Sequence, residues 1–197
     1  MNESTDASST GRSVDIPEAA HPSRVILRRF TPDDFDHFAE FVTDPRVSSQ
    51  FSLSEHQQGY AGAEVMLKHA IEGYLAKPPT PVFAIALRDK PDQCIGSCGF
   101  MPYGDQHVKC FYAISPAHWS MGYATEAAGV MLAWGFDHAG YDCINADVHA
   151  GNVASIRVAE KLGMRVEQQI QKDGRPGRRM VIDKAFWRKL QTSHPAS

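Results

Sequence analysis

The sequence predicts an α+β domain built on one mixed sheet of about seven strands. Three observations predict it. The apolar runs order as β-α-α-β-β-β-α-β-α-β-β. Two of the runs flank the short segment "KPDQ" and read as an antiparallel hairpin. Residues 107–115, 122–138 and 143–150 read as strand, helix and strand, a unit that pairs in parallel. The chain has 197 residues, enough for one ordinary domain with a core of its own or at most two small ones.

Residues 1–22 are rich in Ser, Thr, Asp and Glu, lack periodicity, and are expected to be a disordered tail. "RVILRRF" (24–30) reads as the first strand. "TPDD" opens a helix, with Thr31 as cap, Pro32 at the first position and two aspartates in the first turn. Phe35, Phe38, Ala39 and Val42 give that helix one apolar stripe. A second helix starts near Ser54, with Tyr60, Ala63, Leu67, Ala70, Ile71 and Tyr74 on its buried side, and "KPPTP" ends it. Strands follow at 82–89, 94–102 and 107–115. The next helix carries Ala124, Ala127, Ala128, Met131 and Leu132 on one face and stops near Gly140. "CINADVHA" (143–150) is a strand. Asn152 caps a helix that Gly163 terminates, and 165–171 and 178–186 are strands joined by "KDGRPG".

Composition narrows the function classes. Hydrophobic residues make up 43% and charged residues 22%, ordinary for a globular protein. A net charge of −3 gives no electrostatic footprint for nucleic acid. The longest apolar run, "VFAIAL", is far short of a membrane span, and the polar start "MNESTDASSTGRS" has no apolar signal core. Cys94, Cys98, Cys110 and Cys143 lack a CxxC spacing, so free thiols in a cytoplasmic protein are expected. His and Cys show no metal-ligand spacing, and no GxGxxG follows an early strand.

The segment "HWSMGYATEA" (118–127) carries the chemistry. A Gly and a small residue two positions apart sit where a helix opens. The first N–H groups of a helix have no internal partner, and the dipole adds positive potential there, so a phosphate could dock. A tight turn into an ordinary helix explains the same residues equally well.

The neighbouring segments decide between the two. "FYAISPAHWSMGYATEA" followed by "NADVHAGNVASIRVAEKLGM", after the opening "VILRRFTPDDFDHFAEFVTDP", resembles the GNAT (GCN-five-related N-acetyltransferase) superfamily over residues 24–188. Within it the sequence is most similar to the branch of the ribosomal-protein N-acetyltransferases RimJ and RimL. The resemblance implies a three-layer GNAT fold: a mostly antiparallel sheet with helices on both faces, splayed between its central strands to admit the pantetheine arm of acetyl-CoA. It implies one domain over 23–190, with a C-terminal tail at 191–197. It implies direct transfer of acetyl from acetyl-CoA to a primary amine such as a protein N-terminus, without metal or covalent enzyme intermediate, and it allows a homodimer. The alternatives are a small-molecule N-acetyltransferase for an antibiotic, polyamine or amino acid, and an acyl-CoA-binding module that lost catalysis.

Site residues follow from the resemblance. The family pattern R/Q-x-x-G-x-G/A maps onto Trp119, Ser120, Met121, Gly122, Tyr123 and Ala124, so the N–H groups of Met121 to Thr125 would hold the pyrophosphate. Met121 stands where the branch often has a basic residue. Tyr112, Ala113 and Ile114 would line the pantetheine with backbone groups, and Asn152 would hydrogen-bond it, although a plain N-cap accounts for Asn152 as well. Ala159 replaces the Tyr that protonates the thiolate in many members. Ser155 matches the hydroxyl that the RimL-like branch offers to the sulfur, and it would equally serve as a first-turn hydroxyl bonded to the cap. Lys109 replaces the branch's frequent Glu base, which leaves His107, with Asp105, His118, Asp147 and His149, as substitutes. Taken singly, each of these is more readily an ordinary strand-end or loop residue. Glu126 is expected to make a structural bond, and "KDGRPGRR" is expected to be a solvated basic hairpin tip, or else a contact for an acidic partner.

Overall fold

A computed structural model describes residues 23–51, 53–76, 79–103 and 107–193. The expected tail at 1–22 and the candidate Asp105 lie outside these residues. Seven strands, β1 (Val25–Arg28), β2 (Val82–Leu87), β3 (Lys90–Tyr103), β4 (His107–Ile114), β5 (Cys143–His149), β6 (Arg165–Lys172) and β7 (Arg175–Asp183), form one sheet in the order β1-β2-β3-β4-β5-β7-β6. The helices are α1 (Phe35–Thr43), α2 (Pro45–Ser48), α3 (Gly59–Gly73), α4 (Tyr123–Asp137), α5 (Val153–Lys161) and α6 (Lys184–Ser193).

Strand β2 is apolar throughout because both of its faces are covered. Phe83 and Ile85 join the core beneath α4, with Met131, Leu132 and Phe136, and Ala84 joins Phe38, Phe41 and Leu67 of α1 and α3 on the other face. Helix α4 lies close on the sheet at Gly135, where a Cβ would come within 2.7 Å of the Phe100 ring. Tyr74 ties the α3 side to the sheet: its buried hydroxyl accepts from the Phe30 N–H at 2.9 Å and donates to the Val82 carbonyl at 2.6 Å. Burial pushes this phenol up to about 12.

Four local expectations change. The β2–β3 turn is Arg88–Asp89, and "KPDQ" belongs to β3. Leu87 pairs with Lys90 and Ala86 with Cys94, so residues 91–93 bulge from the ladder, which is how a strand accommodates Pro91. Residues 184–186 begin helix α6 rather than ending a strand, and the tail expected from 191 starts inside this helix. Trp187 packs its ring against Phe136, which explains the helix: its apolar side has a partner. Tyr60 stands exposed in the first turn of α3 instead of on its buried side.

The sheet consists of two antiparallel blades joined by one parallel seam. β4 is paired with β3 along its full length, and β5 with β7 along its full length. Between β4 and β5 the ladder has two rungs, Val108–Ile144 and Lys109–Asn145. Beyond them each strand stays with its outer neighbour and the inner edges part.

At the start of α1, the buried Asp34 carboxylate accepts from both terminal nitrogens of Arg28, at 2.6 and 2.7 Å, and from the Thr31 N–H at 2.9 Å. Burial raises the Asp34 carboxyl, but the bonds from Arg28 and Thr31 outweigh it and hold the group below the ordinary value. Asp34→Asn leaves Arg28 without its counter-charge and should cost about 3 kcal/mol, lowering the melting temperature by roughly 10 °C. Because the folded pKa is depressed, the contribution is complete above pH ~5 and disappears as pH falls through the folded value. Thermal melts of both proteins from pH 7 downward should therefore converge in acid.

Candidate active site

Between β4 and α4 the chain makes the turn that the sequence singled out. Gly122 is the N-cap of α4 with φ +86°, a left-handed conformation suited to glycine, and Ser120 adopts φ +62°. No side chain caps α4. The Thr125 and Glu126 N–H groups bond back to the Gly122 carbonyl at 3.0 and 3.2 Å. Thr125 is thus engaged within the helix, and the open donors of the first turn are the N–H groups of Gly122, Tyr123 and Ala124. The Trp119 indole N–H donates to the Ile114 carbonyl at 2.6 Å, and the Arg46 guanidinium lies 5.7 Å from the centre of the Trp119 ring. Trp119 therefore anchors the turn to the end of β4.

Arg24 supports the same turn from across the chain. Its guanidinium donates to the Met121 carbonyl at 2.7 Å and, through Nε, to Glu126 at 2.8 Å. Its Nη2 also bonds Glu126, and its own N–H reaches the same carboxylate at 2.8 Å. It lies 4.8 Å from the centre of the Tyr123 ring. Burial raises the Glu126 carboxyl, and the bonds from Arg24 and Ser23 overcome this and keep it low, hence ionised. Glu126 makes the structural bond expected of it. Arg24 was not picked out: nothing local in "SRVILRR" signals a partner about a hundred residues away.

At the end of β4 where it has parted from β5, a cleft of about 600 Å³ opens between the starts of α4 and α5. Tyr112, Ala113, Ile114, Trp119, Gly122, Tyr123, Ala124, Thr125, Asn152 and Ser155, all expected at the site, line it together. The Ser115 N–H bonds Ile95, so by ladder alternation Ala113 turns its backbone to β3 while Tyr112 and Ile114 turn theirs to the gap. The Tyr112 hydroxyl crosses to α5 and donates to the Ser155 carbonyl at 2.8 Å. Burial pushes its pKa upward. The Asn152 side-chain oxygen accepts from the Ser155 N–H at 3.1 Å, a true N-cap, which leaves the amide nitrogen for other bonds. Ala159 is fully buried in the core.

The candidate bases divide. His107 opens β4 at its paired end, five residues before Tyr112, or roughly 17 Å along the strand. The structure does not place its backbone at the cleft, and its side chain lies outside the described set. Asp147 accepts from Lys109 at 2.6 Å and from Arg179 at 2.9 Å. Burial raises the Asp147 carboxyl, but these cations prevail and hold it low, which makes it a poor proton acceptor. His149 is buried, and burial, with Lys172 and Arg175 nearby, lowers its pKa. His118 lines the cleft beside Tyr123, with a buried Nδ1 that has no partner among the described residues. Cys94 and Cys110 are buried thiols pushed up to about 12, unsuited to nucleophilic work. Among the described residues no group of three His, Cys, Asp or Glu could hold a metal ion, and no helix is long and apolar enough to cross a membrane.

Residues 24–165 match the family described as "Acetyltransferase (GNAT) domain". The chain belongs to the GNAT acetyltransferase family. Among its relatives is the protein named uncharacterized N-acetyltransferase YnaD of Bacillus subtilis (strain 168), 30% identical over 73% of this chain and 81% of that one. Two solved structures share the fold. A spermidine N-acetyltransferase from Vibrio cholerae, in complex with CoA and spermine, aligns with a TM-score of 0.70 at 18% identity over 84% of this chain and 99% of its own. A ribosomal-protein-S5-alanine acetyltransferase from Vibrio fischeri aligns with a TM-score of 0.69 at 15% identity over 85% and 97%. The seven-stranded mixed sheet of this GNAT domain is the fold that the sequence led us to expect.

The Arg24 contacts predict a local effect on this GNAT turn. In Arg24→Ala, amide hydrogen exchange over residues 120–125 should accelerate about tenfold, while the melting temperature changes little because the pair is exposed. Unchanged exchange in that segment would show that the turn holds itself.

Proposed function

We propose that this GNAT chain transfers acetyl from acetyl-CoA to the α-amine of a peptide or protein N-terminus, as a member of the RimJ/RimL-like branch. The observation that carries the cofactor half is the uncapped, glycine-led start of α4 at the mouth of the gap between β4 and β5. The residues present fit the cofactor. The N–H groups of Gly122, Tyr123 and Ala124 suit a pyrophosphate, since a helix start left without a side-chain cap keeps donors for an anion. Arg157 and Lys161 on the cleft wall add positive charge. The gap-facing backbone of Tyr112 and the Ile114 N–H, with the Asn152 amide nitrogen, suit an amide-bearing arm.

In the transfer, the amine nitrogen bonds to the acetyl carbonyl carbon, the carbon–sulfur bond breaks, the amine loses a proton and the sulfur gains one. A gap-facing N–H of β4 is suited to the developing oxyanion. Ser155, in the first turn of α5 on the cleft wall, would protonate the sulfur, where the helix dipole also eases negative charge. Ala159 offers no proton there, so the role falls to the Ser155 hydroxyl.

The acceptor reading draws on the carboxylates: among the described residues lining the cleft there is no Asp or Glu. Asp147 is held ionised by two cations and Lys109 occupies the position of the branch's Glu. An α-amine with a pKa of about 7.7–8.0 has a useful neutral fraction near pH 7.4, whereas a lysine amine near 10.4 is only about 0.1% neutral. A site with no carboxylate among its described lining residues suits the former. The alternative of a CoA-binding module without catalysis draws on the same Ala159 and Lys109, and turnover separates the two.

Mass spectrometry of peptides with free or blocked N-termini, incubated with acetyl-CoA, should show one acetyl group on the free α-amine and none on internal lysines. Acetylation of lysines alone, or of small amines alone, would overturn the acceptor assignment. Ser155→Ala should lower kcat about a hundredfold with little change in the KM for acetyl-CoA, and kcat/KM should rise with pH through the acceptor's own pKa.

A further inference from the structure

The basic hairpin "KDGRPGRR" is exposed at residues 173–176, as expected, but two of its cations also reach another segment of the chain. Lys172 Nζ lies 3.5 Å from the Gln50 carbonyl, and Arg175 Nη2 donates to the Ser49 carbonyl at 2.7 Å. Gln50 lines the cleft together with Arg46, Val47 and Phe51. The β6–β7 hairpin thus closes against the segment that walls the cleft. Ile144, Ala146 and Val148 of β5 belong to the core beneath α4 and α5, so by alternation Asp147 and His149 face the opposite side, as does Lys109 of β4. An amine attacking a thioester in the gap comes from that side, because the other is packed by α4 and α5.

The charges nearest the hairpin and β5 are largely paired. Arg175 Nη2 also lies 2.7 Å from His149 Nε2, Asp173 Oδ2 lies 3.4 Å from the same nitrogen, and burial lowers the His149 pKa. Arg175 thus meets a carbonyl and an imidazole, and Asp173 borders the same imidazole. Asp147 is shared between Lys109 and Arg179, Asp173 pairs with Lys172 at 2.9 Å, and Asp44 pairs with Arg46 at 2.7 Å. Each of these three carboxylates already has a cation beside it. The described residues lining the cleft include Arg46, Arg157 and Lys161 and no Asp or Glu. A polycationic amine finds no carboxylate here to receive its second charge.

Resting on the acetyltransferase reading above, we infer that the acceptor is a primary amine with an anionic group close to it, met by the Lys172–Arg175 hairpin. Two sources share this chemistry, an acidic peptide N-terminus and a small amino acid. The test is kcat/KM for matched acceptors at about 0.05 M and about 0.5 M salt. One set is peptides whose free alanine terminus precedes two aspartates, two alanines or two lysines. The other is 4-aminobutyrate, butylamine and putrescine. The anionic member should exceed the cationic one at least tenfold at low salt, in whichever set is turned over, and the ratio should shrink at high salt. It should also shrink in Arg175→Gln and in Lys172→Gln. A flat or reversed ranking overturns the inference while leaving acetyl transfer intact. Acetyl-CoA binding without turnover of any acceptor overturns the acetyltransferase reading, and the inference with it.

Discussion

The parallel seam between β4 and β5 is the constraint on which the rest depends. It holds for two rungs and then opens, while each strand stays paired with its outer antiparallel neighbour along its full length. A parallel sheet paired to its end would have satisfied the Tyr112 and Ile114 backbone internally. Here those groups face a gap, and the first turns of α4 and α5 both border it. The Tyr112 hydroxyl then bridges from β4 to α5. A fold whose inner edges were closed would have no place for an extended ligand, whatever its surface residues.

The turn into α4 adds a second requirement, to keep anion-binding donors open while holding their geometry. Gly122 supplies the left-handed backbone, and the absence of a capping side chain leaves the donors available. The stiffness comes from outside the turn. Trp119 fixes it to Ile114, and Arg24 fixes it through Met121 and Glu126. Glu126 sits in the first turn of the same helix, where an unneutralised carboxylate would oppose an anionic ligand. Arg24 cancels that charge without occupying the cleft.

Much of this was legible in the sequence. Gly122 and Asn152 could be read because turn and cap chemistry is local, and the strand–helix–strand pattern of 107–150 implied the parallel seam. The residues missed share one property, a partner distant in sequence. Arg24 meets Glu126, the Tyr112 hydroxyl meets Ser155, and the 172–175 hairpin meets Ser49 and Gln50. Helix α6 was hidden because "VIDKAF" continues a β-branched strand, and its apolar side makes sense only beside Phe136. The bulge at Pro91 was read as a turn because proline marks both. Asp147 and His149 looked like bases by type, and only their surroundings, two cations for one and burial beside Arg175 for the other, show what they are.

The central claim is that the gap and the open helix start form one acetyl-CoA site. Calorimetric titration of acetyl-CoA into the protein and into Gly122→Trp tests it most directly, with circular dichroism to establish that both are folded. Saturable binding by the natural sequence, lost or weakened at least a hundredfold in the variant, is the expected result. Equal binding by both proteins would place the cofactor elsewhere, and no binding by the folded natural sequence would reduce the Gly122 turn to an ordinary entry into a helix.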